Sequence, residues 1–99
     1  MNNFAQTSYE MLALHRKCRE QGIELHELAL MCCVIRRFAV RMSDIATMLS
    51  VSSAAATGIV DKLEKLGLVQ RVGSLVDRRK KFIELTETGK ETVQFLIES

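Results

Sequence analysis

Proline is absent from this 99-residue sequence, and no glycine- or serine-rich stretch interrupts it, so nothing marks a linker or a domain boundary. One domain over residues 1–99 is the expectation. Long apolar runs are missing too. Stretches such as residues 28–34 fall far short of the ~20 residues of a membrane span. The start, Met1-Asn2-Asn3-Phe4, lacks the basic segment and apolar core of a signal peptide. These absences predict a cytoplasmic protein with no membrane partner. There are three cysteines, Cys18, Cys32 and Cys33, with no CxxC spacing. An odd number cannot fully pair, adjacent cysteines rarely pair with each other, and the thiols read as small hydrophobes of a buried helix. The sequence also lacks a phosphate-cradling glycine loop, a recognisable carboxylate pair and a metal-spaced cluster. His15 and His26 fall in different predicted helices, with no nucleophile motif beside either. His15 and Cys18 lie one helical turn apart, but a surface or helix-cap histidine is the commoner case. The expectation is a protein that is not an enzyme and carries no cofactor or metal.

What is present is ordinary globular composition, 47% hydrophobic and 26% charged. A chain of this length buries a modest core, so a partner chain would add stability. The net charge of +2 says little, but its distribution is uneven. Residues 52–81 hold seven basic side chains (Lys62, Lys65, Arg71, Arg78, Arg79, Lys80, Lys81) against Asp61, Glu64 and Asp77, which leaves −2 for the remainder. A basic third on a mildly acidic body is the footprint of a polyanion-binding face.

Periodicity predicts helices over residues 4–20, with Phe4, Met11, Leu12 and Cys18 along one stripe, and over 24–38, apolar nearly all round. Residues 40–42 read as a short strand. Ser43 offers an N-cap and Asp44 a first-turn charge for a helix over 44–49. Residues 50–52 form a turn ending in Ser52 or Ser53, a second N-cap, and the next helix runs to about Leu66, with Ala56, Ile59, Val60, Leu63 and Leu66 facing inward. Gly67 stops it, and the period changes to that of strands over 68–72 and 80–85. Thr86 caps a last helix over 87–98, opened by Gly89, with Val93, Phe95, Leu96 and Ile97 as its apolar content. The fold class is mostly α with a small β wing (α+β), in the order helix-helix-(short strand)-helix-helix-strand-strand-helix.

A six-residue helix, a three-residue turn and a longer helix form a helix-turn-helix layout, whose second helix enters the DNA major groove. Ser52, Ser53 and Thr57 supply short hydroxyls, Ala54 and Ala55 leave the backbone close to what it faces, and free N–H groups at the helix start suit a phosphate. The hairpin tip carries Asp77-Arg78-Arg79 beside Lys80-Lys81. Arginine suits a narrow, negative minor groove, and Asp77 is placed to orient Arg79. Lys62, Lys65, Arg71, Lys80 and Lys81 are expected at phosphates.

Asp44-Ile45-Ala46-Thr47-Met48-Leu49-Ser50-Val51-Ser52, then Ile59-Val60-Asp61-Lys62-Leu63-Glu64-Lys65-Leu66-Gly67-Leu68-Val69-Gln70-Arg71, then Asp77-Arg78-Arg79 and Leu85-Thr86-Glu87-Thr88-Gly89 resemble the MarR family of bacterial regulators. The resemblance implies a winged-helix homodimer, a repressor on a pseudo-palindromic operator in double-stranded DNA, released by a small-molecule, metal or oxidant effector. By that resemblance Ser53, Ala54, Thr57 and Gly58 match reading positions, Arg79 the wing-tip arginine and Asp77 its brace. Helices 4–20 and 87–98 become the candidate dimer elements, and Cys18, flanked by Arg16, Lys17 and Arg19, falls where some relatives sense oxidants. Gly58, the apolar Leu75-Val76 and the short last helix motivate a second reading: a winged-helix interaction module that pairs with another regulator and binds DNA weakly or not at all.

Overall fold

Apolar side chains on nearly every face make one helix, α2 (Leu25–Arg37), the element around which the others pack. In the computed structural model, which describes residues 2–37, 40–73 and 81–98, its Leu28, Leu30, Met31 and Val34 are buried. Preceding it, α1 (Asn2–Glu20) ends at Gly22, whose φ of +78° is the left-handed geometry that glycine adopts without strain. There the Ile23 N–H donates to the Cys18 carbonyl (3.0 Å) and the Gly22 N–H to that of Arg19 (3.0 Å), a Schellman-type stop.

The stripe expected along α1 does not close against the rest of the chain. Cys18 is fully buried and Leu14 packs on the core, but Phe4, Met11 and Leu12 remain exposed, Phe4 at 80%. The helix projects from the body, consistent with principal extents of 49 × 26 × 21 Å.

Next come β1 (Val40–Arg41), α3 (Met42–Leu49), α4 (Ser53–Lys65), β2 (Val69–Gly73), β3 (Lys81–Leu85) and α5 (Glu87–Glu98). The three strands form one antiparallel sheet in the order β1-β3-β2. Val40 pairs with Ile83, and β2 runs against β3 from Val69–Leu85 to Gly73–Lys81. Val40, Val69, Ile83 and Leu85 turn inward and join Ile45, Ala56, Val60, Leu63, Val93 and Leu96 in the core. This is a winged helix-turn-helix fold, mostly helical with a small antiparallel sheet. No single helix among the described residues is long and apolar enough to cross a membrane.

Two local expectations change. Ser43 lies inside α3 and not at its cap. Arg41 takes the extended N-cap conformation, and the Asp44 carboxylate accepts its N–H at 3.1 Å. The acidic residue thus serves both the helix dipole and an otherwise orphaned donor. Leu66, expected on the buried face of α4, ends that helix and is 45% exposed.

At the other end of the domain, Thr86 caps α5 as its hydroxyl suggests. Its Oγ1 accepts the Gly89 N–H (2.9 Å) and donates to the Gly67 carbonyl (2.6 Å), while the Thr86 N–H donates to the carbonyl of Leu68 (3.1 Å). Gly89 does more than open the helix. A Cβ there would overlap the Leu68 carbonyl, so only glycine lets the first turn of α5 sit against this link.

Two glycine substitutions should therefore move stability in opposite directions. Gly89→Ala should lower it by about 1–3 kcal/mol through overpacking, despite alanine's better helix propensity. Gly58→Ala, with open space around its Cβ, should raise it by about 1 kcal/mol. Urea titrations read both, and equal stabilities for the Gly89 variant and wild type would contradict the docking of α5 on Leu68.

Candidate nucleic-acid interface

The axes of α3 and α4 turn by 106° across residues 50–52, within the ~90–120° that helix-turn-helix units adopt. Ser50 makes the corner. It sits in the left-handed region (φ 55°, ψ 47°), and the Val51 N–H donates to the Ala46 carbonyl at 3.0 Å. Ser52 then starts α4, its Oγ accepting the Ala55 N–H at 3.1 Å. Of the two serines offered by the sequence, Ser52 is the cap.

The register of α4 follows from its apolar spacing. Ala56, Val60 and Leu63 go inward, which turns Ser53, Ala54, Ala55, Thr57 and Gly58 to solvent. The Thr57 hydroxyl donates to the Ser53 carbonyl (3.0 Å) and keeps its lone pairs for a ligand. The exposed face is short, polar and slim, so a second molecule can come close to the backbone.

Two of the cations expected at phosphates, Lys62 and Arg71, are paired with carboxylates. Lys62 Nζ donates to Glu27 Oε1 at 2.8 Å. Arg71, on β2, sends one guanidinium nitrogen to Asp61 (2.6 Å) and the other to Glu64, both on α4. The Asp61 hydrogen bond, with the charge of Glu64, holds the Arg71 pKa above its already high ordinary value, against a smaller effect of burial. This fork clasps β2 to α4. Lys65 and Lys81 are exposed, and Lys81 stands opposite Gly73, in the strand pair farthest from Val69–Leu85. Asp77, Arg78, Arg79 and Lys80, together with Leu75-Val76, lie outside the described residues.

Glu27 was not singled out by sequence reasoning. Its burial, at 3% exposure, was not legible because the residue sits in the first turn of α2, where an acidic side chain normally serves the helix dipole in water. It performs that service too, accepting the Glu24 N–H at 2.6 Å.

A sequence profile of the MarR family matches residues 23–81. The chain belongs to the MarR family. Over 58 residues it is 41% identical to an uncharacterised HTH-type transcriptional regulator of Bacillus subtilis, YfiV; the match takes in 59% of this chain and 36% of that protein, so the chain spans only about a third of its relative. Regulator Tm0710 of Thermotoga maritima superposes with a TM-score of 0.84 at 24% identity, over 98% of this chain and 69% of its own. MepR of S. aureus, in a crystal of a MepR–DNA complex, gives 0.82 at 22% identity, over 99% and 82%. At such identities these two structures establish the fold. The MarR-family profile spans the entire α3-turn-α4 unit, Glu27 and the Arg71 fork, while α1 and α5 fall outside it.

Breaking the fork tests its structural weight. Because its carboxylates are 41–49% exposed, solvent screens them, and Arg71→Ala should cost about 1 kcal/mol, less at high salt. Urea titrations at low and high sodium chloride measure this, and a salt-independent loss would point to packing instead of charge.

Proposed function

We propose that the chain is a sequence-specific transcriptional regulator, a homodimeric repressor that lays α4 in the major groove of double-stranded DNA and the β2–β3 wing in the minor groove. One observation carries this reading: Ser53, Ala54, Thr57 and Gly58 form an open row on a helix whose opposite face is locked into the core. Membership of the MarR family and the likeness to a protein crystallised with DNA support it. The groups that meet DNA are then Ser52 to Gly58, the exposed Lys65 and Lys81, and, by sequence, Arg78, Arg79 and Lys80, with Asp77 bracing Arg79. Lys62 and Arg71 act one step back, by fixing α4 against its neighbours. Such a protein works in the cytoplasm and performs no catalysis.

The dimer would form through α1 and α5, where Phe4, Tyr9, Phe95 and Ile97 lie open to water. The same exposed apolar side chains favour a second reading, a module that pairs with another regulator, and light scattering separates the two. A stable monomer without DNA affinity supports the module; a dimer that binds duplex supports the repressor.

A cleft of about 520 Å³ between α2, β3 and α5, lined by Val34, Ile35, Leu85, Val93 and Ile97 with Lys90 and Glu84, is the place for a small-molecule effector. An oxidant acting through Cys18 is disfavoured. That thiol is fully buried, and burial, then Cys32 and the carboxylates of Glu24 and Glu27, push its pKa up, away from reactive thiolate. Iodoacetamide at pH 7 should therefore label Cys33, which is half-buried, well before Cys18. Peptide mass spectrometry reads the order, and equal labelling would restore Cys18 as a sensor.

Selection from a random DNA pool tests the main proposal. It should enrich a pseudo-palindrome with half-sites about 10 bp apart. Arg79→Ala should weaken binding to the enriched duplex by roughly 5- to 150-fold, the ~1–3 kcal/mol of one good arginine contact. Affinity should fall linearly in log–log with salt. A pool that stays random after repeated rounds would overturn the regulator reading.

A further inference from the structure

Burying a lone charge in a protein interior is expensive, and among the described residues Glu27 is the one charged side chain that is buried. Its partners do not belong to one element. The Glu27 carboxylate takes the Glu24 N–H at the foot of α2 and the Lys62 ammonium from α4, 35 residues away in sequence. The Glu24 carboxylate in turn holds Arg19 at the end of α1, at 2.6 Å. Polar contacts thus run from α1 through Glu24 and Glu27 to Lys62, on the inner flank of the helix whose outer row faces solvent. On Lys62's sequence neighbour Asp61 begins the other clasp, to Arg71 of the wing.

We infer that Glu27 is a positioning residue for DNA recognition: through Lys62 it sets the seating of α4, and so links the α1–α2 lobe to the reading surface. The inference rests on the regulator reading above. Pure electrostatics and positioning predict opposite signs for its removal. Deleting a negative charge and freeing Lys62 should, by charge alone, strengthen every DNA complex and steepen its salt dependence. A reseated helix instead loses the selected sequence while keeping general affinity for the duplex, because base contacts need geometry that phosphate attraction does not.

The test uses wild type, Glu27→Gln, Lys62→Met, Lys62→Arg and the Glu27→Gln/Lys62→Met double variant. Each is titrated against a duplex selected by wild type from a random pool and against its scrambled counterpart, at a temperature where circular dichroism shows full folding. Glu27→Gln should lower the preference for the selected duplex about tenfold, with affinity for the scrambled duplex kept or raised. Lys62→Met should lower the preference similarly, the double variant should add little, and Lys62→Arg should keep the preference. If Glu27→Gln unfolds, the Lys62→Arg and Lys62→Met pair still separates retained from lost preference, and if a Lys62 variant unfolds, Glu27→Gln against wild type does. Tighter binding of Glu27→Gln to both duplexes, or an unchanged preference in Glu27→Gln and Lys62→Met, overturns the inference while leaving the regulator reading intact. A wild type that enriches no sequence overturns both.

Discussion

A carboxylate in an apolar junction leaves a fold few solutions, and Glu27 imposes one here. Its hydrogen-bond demand is met partly by the start of its own helix and partly by an ammonium that α4 must deliver. Apolar burial of Ala56, Val60 and Leu63 presses α4 onto the core, but hydrophobic contact is non-directional and tolerates small rotations and slides. The ion pair at 2.8 Å, anchored on a buried carboxylate, adds a directional preference. The Arg71 fork adds a second directional constraint from the opposite neighbour. Core packing holds α4 down, and the charges on its flanks decide how it sits.

Much of this arrangement was legible because the local signals agree with one another. The period-3.6 spacing in α4, the Ser52 hydroxyl at its start, the switch to strand residues after Gly67 and the Thr86 cap all point to one order of elements, and the structure follows it. What escaped were features that depend on distant segments. Lys62 and Arg71 look like free cations in sequence, and nothing local says that a carboxylate 35 residues away or one on the neighbouring helix claims them. Gly89 looks like punctuation, yet the Leu68 carbonyl is what requires it. Ser43 lost the cap because Arg41 pairs in the sheet opposite Phe82, which starts α3 earlier than its polar residues suggest. The candidate wing-tip residues 77–80 remain readings of sequence.

The apolar surplus outside the core has its own logic. A body of this size buries Cys18 and packs Leu14 against its core but has nothing to place over Phe4, Met11 and Leu12. The radius of gyration, 14.4 Å, exceeds the ~13 Å of a compact chain of this length, as a projecting helix demands. Leaving aromatic side chains in water forgoes the stabilisation their burial would give, roughly 25 cal/mol per Å². In the homodimer reading, that forgone stabilisation is recovered on association, and the two reading helices acquire a fixed spacing at the same step.

In the regulator reading, the exposed row of α4 constrains how DNA would be recognised. Ala54 and Ala55 offer methyl groups, Gly58 offers none, and Ser53 and Thr57 offer short hydroxyls, so α4 holds no long side chain among the residues that would face base edges. Bidentate arginine or asparagine readout is therefore unavailable from this row. Close backbone approach and methyl contacts remain, and they reward a particular groove shape more than a particular hydrogen-bond pattern. A helix that reads by fit depends on its seating more than one that reads through long, adaptable side chains, because a slim surface has no rotamers with which to absorb a shift. That is the physical reason an ion pair on the flank of α4, anchored on the buried Glu27 carboxylate, would have purchase on specificity.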